Sequence, residues 1–268
     1  MTYGFIGTGN MGGALARAAA KVVEDRRALW LANRTESKAA ALASELGATL
    51  SNNETIAANC DYILLGVKPQ LMGETLASLA PLLKERTTTP FCLISMAAGL
   101  TVARLQEMAG GDYPVIRILP NTAVAVGEGV TLWCCSGNVT EAQKAGYMTL
   151  FSAAGLLDEI PEQLIDAACA VAGCGGAFAC LFMEALADGG VLCGLPRDKA
   201  LKYAAQMLRG TAALALETGE HPAKMKDAIC SPGGSTIAGV RALEEHGFRG
   251  AAQEAVIAAY RRTVELGK

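Results

Sequence analysis

The chain has 268 residues, 51% of them apolar, and a formal net charge of −3. That length and apolar fraction provide core for one large or two ordinary domains. A mildly acidic balance without blocks of like charge argues against a nucleic-acid partner and against a polybasic membrane anchor. Only two histidines, His221 and His246, accompany nine cysteines, and no C-x-x-C pair occurs. Neither a metal site nor a disulfide framework is expected; the cysteines read as buried free thiols in a reducing, cytoplasmic compartment.

Residues 2–6 form a short apolar run that breaks into Gly7-Thr8-Gly9-Asn10-Met11-Gly12, followed by helical spacing over 10–25. Strand, glycine-rich turn and helix in that order form a dinucleotide-binding turn. Gly7 makes the turn, Gly9 lets the backbone approach a pyrophosphate, and Gly12 lets helix and strand pack closely. The helix N-terminus then offers free N–H groups to the phosphates. With the first ten residues committed to a strand and a phosphate loop, no secretory leader is expected.

The second strand, 28–32, ends in Asn33-Arg34-Thr35. An NAD site places an acid there, about 20 residues beyond the glycines. Asn33 and Thr35 can instead hydrogen-bond a 2′-phosphate, and Arg34 can pair with it or stack on the adenine. NADP is the expected cofactor, with NADPH preferred over NADH.

Helices follow at 35–46 and 53–58, then a strand at 62–66 that ends in Val67-Lys68-Pro69. Lys68 lies beyond the carboxyl end of a strand, where open α/β sheets bind ligands. A helix at 70–83 precedes a strand at 91–95, which ends in the small residues around Met96, Ala97 and Ala98 and leaves room for a flat nicotinamide or ribose. A helix at 101–109, strands at 114–118 and 129–134, and a helix near 140–153 complete an α/β pattern. The expected fold is a Rossmann-type, doubly wound parallel sheet with helices on both faces.

After Ile160-Pro161 the chain turns to Ala, Leu and Gly at helical spacing, with no convincing strand. The expected organisation is an NAD(P)-binding domain over 1–160 and an all-helical substrate-binding and dimerisation domain over 161–268. The uncharged stretch Ala167–Met183 is interrupted by Gly173, Gly175 and Gly176 and flanked by Asp166 and Glu184. It falls short of the ~20 residues of a membrane span. It reads as a helix buried in a core or subunit interface.

Ser231-Pro232-Gly233-Gly234-Ser235-Thr236 opens directly into a helix. Its backbone N–H groups and hydroxyls make an anion site suited to a carboxylate. Ordinary capping by Ser231 or Ser235 is the competing reading.

Gly4–Gly12, Val67-Lys68-Pro69, Arg117-Ile118-Leu119-Pro120-Asn121-Thr122 and Ser231–Thr236 occur in that order. Together they resemble pyrroline-5-carboxylate reductase across nearly the whole chain. The resemblance implies NAD(P)H-dependent reduction of 1-pyrroline-5-carboxylate to L-proline, the last step of proline biosynthesis. It also implies a homodimer with interlocked helical domains, in some members five dimers in a decamer. By position, Ser231 and Gly234, Ser235 and Thr236 would hold the substrate carboxylate, and Thr236 would hydrogen-bond the ring nitrogen. Asn33, Arg34 and Asn52 would surround the adenosine end of the cofactor. Lys68 and Met96–Ala98 would lie along its ribose and nicotinamide. Thr236 and Lys68 are the catalytic candidates.

The chain departs from the family's Ser-Gly-Ser-Gly-Pro-Ala-Tyr segment, with Ala172-Gly173-Cys174-Gly175-Gly176-Ala177-Phe178 in its place. No chemistry is assigned to that segment. Two other readings stay open on the residues alone. A 3-hydroxyacid dehydrogenase would need a helical-domain lysine, for which Lys199 and Lys202 are nearest. An NADPH-binding module without catalysis would not need the second anion site.

Overall fold

The computed structural model describes residues 1–266. The chain divides into two compact units. The first comprises Met1–Cys174 together with the chain from Ala259, and the second Gly175–Ala258.

The first unit is an eight-stranded sheet between two helical layers. In chain order it contains β1 (Tyr3–Ile6), α1 (Asn10–Ala19), β2 (Leu29–Ala32), α2 (Glu36–Leu46), β3 (Thr49–Leu50), α3 (Asn53–Asn59), β4 (Tyr62–Leu65) and α4 (Pro69–Glu85). There follow β5 (Cys92–Ser95), α5 (Val102–Ala109), β6 (Val115–Pro120), β7 (Gly129–Cys135), α6 (Glu141–Leu150), β8 (Gly155–Glu159) and α7 (Glu162–Ala172). The spatial order is β3-β2-β1-β4-β5-β6-β7-β8. One core, with Leu15, Leu31, Leu42, Trp133 and Tyr147, lies under α1, α2 and α6. The other, with Ile56, Leu76, Leu93, Leu105 and Ile165, lies under α3, α4, α5 and α7. Strands buried on both faces explain the continuous apolar runs of β4 and β5.

The expected all-parallel sheet needs one correction: β7 runs antiparallel to β6, with Ile118 opposite Trp133. The residues between them are occupied by a 3₁₀ turn, Thr122–Val126, closed by Gly127 at φ 79°. That is too short for a parallel crossover, which takes a dozen residues or more. β8, which pairs parallel with β7, was not expected. Gly155, at φ 118°, turns the chain into it, and a Cβ there would stand 2.2 Å from the Gly129 carbonyl oxygen. The first helix stops at Ala19 rather than near 25, and Asp25 accepts the Arg27 N–H to open a 3₁₀ turn instead. A short polar side chain that captures a backbone donor favours a turn over helix.

The far ends of α3, α4 and β5 meet at Arg86. Its guanidinium donates to the carbonyls of Ala57 (3.0 Å) and Cys60 (2.7 Å) and lies 4.7 Å from the centre of the Phe91 ring. A cation here answers the carbonyl groups that end α3. Arg86→Ala is expected to lower the unfolding free energy by about 2 kcal/mol. Arg86→Lys should restore less than half of it, because an ammonium lacks the planar fork. A urea midpoint unmoved by Arg86→Ala would refute the assignment.

The second unit holds α8 (Gly175–Leu192), α9 (Arg197–Thr218), α10 (Pro222–Ile229), α11 (Ser235–Glu245) and the first part of α12 (Phe248–Leu266). The stretch Glu162–Leu192 is apolar and long enough, by length and composition, to cross a membrane. It is broken into α7 and α8 at Gly173-Cys174, and Val171, Leu181 and Leu192 are exposed at 61%, 68% and 89%. It is therefore not a core helix of the single chain.

All nine cysteines are free, but only Cys60, Cys92 and Cys134 are buried. Cys180 and Cys193 are exposed, because α8 and the turn after it have little of the chain packed over them. Burial pushes the Cys60, Cys92 and Cys134 thiols up to about 12, which leaves them inert as nucleophiles.

Candidate active site

Sheet order reverses at β1, which pairs with β2 on one side and β4 on the other. The crevice beyond the carboxyl ends of β1 and β4 is where such a sheet binds its ligand. Two glycines build it. The Gly7 N–H donates to Ala32 O at 2.9 Å, and the Gly66 N–H donates to Ile6 O at 2.7 Å. Gly7 has φ 95°, and a Cβ on it would lie 2.7 Å from the Gly66 carbonyl. A Cβ on Gly12 would lie 2.1 Å from Gly7 O, so α1 closes on the loop only because that side chain is absent.

Gly9 differs from both. It caps α1 at φ −69°, and a Cβ there would meet nothing within 4 Å. The fold does not need that glycine; a ligand backbone passing close by would. No side chain caps α1 and no acid lies in its first turn, so its first N–H groups have no side-chain cap and are open to an anion. The Thr8 hydroxyl is buried without a hydrogen-bond partner among the described residues. A buried, unsatisfied hydroxyl is costly unless a ligand or water meets it. Loop, helix and hydroxyl together fit a dinucleotide phosphate.

The next turns line the same edge. Asn33 donates to Thr35 O at 3.2 Å, which shapes the turn into α2. Arg34 and Thr35 are exposed, Thr35 makes no side-chain cap, and no acid among the described residues pairs with Arg34. Asn52 uses its side-chain oxygen to cap α3 through the Thr55 N–H, at 2.7 Å. Its amide nitrogen remains free to donate. Val67 is half-buried, and exposed Lys68 caps α4 ahead of Pro69 at the first helical position. Met96 and Ala98 are half-buried and Ala97 is buried, with the Ala97 N–H on the Ser95 hydroxyl at 3.3 Å. All of these candidates from Gly7 to Ala98 lie in the first unit.

Ser231 to Thr236 lie in the second unit. The cap of α11 is Gly234, without any side-chain cap bond. This removes the capping alternative for Ser231 and Ser235. The Gly234 N–H turns back onto Ser231 O at 3.0 Å, and a Cβ on Gly234 would strike the Ser231 hydroxyl at 2.4 Å. Ser231, Ser235 and Thr236 are exposed, and their hydroxyls have no partner among the described residues. The loop presents hydroxyls and helix N–H groups outward, which suits an anion.

The fold also reveals polar residues whose role is not apparent from the motifs alone. Arg117, 1% exposed on β6, is paired with Asp166 at 2.5 Å and Glu162 at 3.4 Å, both on α7. Asn121 donates to Ala172 O at 3.0 Å and accepts the Ala123 and Val130 N–H groups. The buried Arg within an apolar strand is the signal that could have prompted a search for acids. A cavity of about 490 Å³ beside Cys135, Ser136 and Asn138 lies near the start of β6 rather than its Pro120 end. Its amides are already spent on Asp112, so it is no part of the nucleotide edge.

Comparison with known proteins joins the two halves. Residues 162–266 match the family model "Pyrroline-5-carboxylate reductase dimerisation", and residues 2–99 match "NADP oxidoreductase coenzyme F420-dependent". The chain is 48% identical to pyrroline-5-carboxylate reductase of Synechocystis, over 81% of this chain and 79% of the relative. It is 39% identical to that of Glycine max, over 99% of this chain and 96% of the relative. The crystal structure of pyrroline carboxylate reductase of Plasmodium falciparum with NADP bound superposes with a TM-score of 0.87 at 32% identity. It covers 100% of this chain and 98% of its own. The protein is thus a self-associating NADP oxidoreductase that reduces 1-pyrroline-5-carboxylate to L-proline. It belongs to the pyrroline-5-carboxylate reductase family.

Proposed function

We propose how the residues divide this work. Residues 1–160 hold the nucleotide, and 161–268 bind the substrate and form the dimer. The Gly7–Gly12 loop takes the pyrophosphate on the first N–H groups of α1, with the Thr8 hydroxyl as a further donor. Asn33, Arg34 and Asn52 surround the adenosine end, and Val67–Pro69 and Met96–Ala98 line the ribose and nicotinamide. The carrying observation is the open space over Gly9 beside an unsatisfied Thr8 hydroxyl.

NADPH, when bound, supplies the hydride that the imine carbon accepts. The chain contributes position and a proton route. Ser231, Gly234 and Ser235 fix the ring through its carboxylate. Thr236 hydrogen-bonds the ring nitrogen and relays a proton to it. Lys68 places a cation at the cofactor edge. Holding two reactants in register removes most of the entropic barrier, so no strong acid is required of the site.

NADPH is preferred over NADH because Arg34 meets the 2′-phosphate. Its support is an exposed guanidinium without an acid partner at the end of β2, beside a helix start that carries no side-chain cap. Arg34→Ala is expected to lower kcat/KM with NADPH by about tenfold, the value of one charge-assisted contact. The rate with NADH should stay within about twofold on the same reasoning. Equal losses with both cofactors would refute the assignment.

The assembly is a homodimer; the decamer of five dimers found in some family members is the alternative, which the mass in solution decides. The exposed apolar residues of α8 and α9, Leu181, Leu192, Leu214 and Leu216 among them, support burial against another copy. Nine free cysteines support a reducing, cytoplasmic setting.

A further inference from the structure

The loop Met96–Thr101 runs from the backbone neighbour of Arg117 to a carboxylate that contacts the Arg117 guanidinium. At its start, Ser95 is the register partner of Arg117 across β5 and β6. At its end, the Val102 N–H donates to Glu162 Oε1 at 2.7 Å, and that same oxygen lies 3.4 Å from Arg117 Nη1. Asp166 holds the other end of the guanidinium at 2.5 Å. Arg117 is 1% exposed, so it has no solvated position, and its Nε has no partner among the described residues. Thr101 already caps α5 through the Arg104 N–H. The Val102 N–H, one of the orphan donors of a helix start, is thus spent on α7 rather than on water.

We propose that Glu162 is a positioning residue for the reduction. By accepting the Val102 N–H while braced by Arg117, it holds Met96–Ala98 in place against the nicotinamide side of the cofactor. The inference rests on the reading that Met96–Ala98 line the cofactor. Glu162 touches neither reactant; it acts through the loop. A side-chain oxygen at this reach is the required group, because one oxygen must accept from a backbone N–H and a guanidinium together. Asp166 shares the second task and not the first, which makes it the control.

The test compares Glu162→Ala, Glu162→Gln and Asp166→Ala in the full chain. Glu162→Ala should lower kcat with NADPH by about tenfold, since misplacement by a fraction of an ångström at the reacting centre is enough. Glu162→Gln keeps an acceptor for Val102 and should recover most of that rate. Asp166→Ala should lower the melting temperature as much as Glu162→Ala and keep kcat within about twofold. Amide exchange over 96–102 should quicken in Glu162→Ala and not in Asp166→Ala. Equal rate losses in Glu162→Ala and Asp166→Ala, or a Glu162→Gln as slow as Glu162→Ala, would overturn the proposal. So would unchanged exchange over 96–102 in Glu162→Ala. Ala98→Phe tests the underlying reading separately. If it leaves NADPH affinity untouched, the cofactor placement fails, whereas the exchange result judges the loop anchor by itself.

Discussion

Gly9→Ala should fold as stably as the parent and bind NADPH about a hundredfold more weakly, a loss of ~2.7 kcal/mol. The new methyl has no protein atom within 4 Å, and the backbone there, at φ −69°, is one that alanine adopts freely. The only thing it can displace is a ligand passing over the loop. Gly12→Ala is the informative contrast. Its Cβ would lie 2.1 Å from Gly7 O, so α1 must move off the strand end. That variant should lose about 1–3 kcal/mol of stability as well as cofactor. Thermal melts with and without NADPH separate the two effects, because a bound ligand raises the melting temperature only where it still binds. Undiminished NADPH affinity in Gly9→Ala would mean that the phosphates lie elsewhere.

Thr236→Ala should lower kcat by about a hundredfold, the lower range for a positioned proton donor. NADPH affinity should not change. The hydroxyl makes no bond among the described residues, and the cap of α11 is Gly234. Its removal therefore carries little structural cost, and any rate loss belongs to the reaction. Thr236→Ser keeps the hydroxyl and should recover much of the rate. Ser231→Ala, by contrast, should act mainly on KM for the imine, because a carboxylate contact is made equally in the ground and transition states. Turnover of Thr236→Ala equal to the parent would remove the residue from the mechanism.

The nucleotide half was legible because it is local. The glycine spacing from Gly7 to Gly12, the missing acid after Ala32 and the Lys68-Pro69 stop each sit within a few residues of the strand end that gives them meaning. The loop at Ser231–Thr236 was legible as a motif, but its competition with capping was not. That needed the backbone, in which Gly234 and not a serine begins α11. What the sequence hid is non-local. Arg117 and Glu162 are 45 residues apart, and nothing in either segment announces the pair. β8 was hidden for a different reason: Gly155-Leu156-Leu157-Asp158-Glu159 follows a helix directly and lacks strand composition. It exists because Gly155 brings it against β7. The antiparallel turn of β7 likewise follows from a short connection rather than from any property of the strand itself.

The most direct measurement is NADPH oxidation by the purified protein with 1-pyrroline-5-carboxylate, with proline as the assayed product, repeated with NADH. Stoichiometric proline and a kcat/KM at least about tenfold higher with NADPH, the effect of one charge-assisted contact, is the predicted result. Equal or better use of NADH would contradict the assignment of Asn33 and Arg34 to a 2′-phosphate. Folded protein that binds NADPH and yields no proline would contradict the roles given to the Ser231–Thr236 loop.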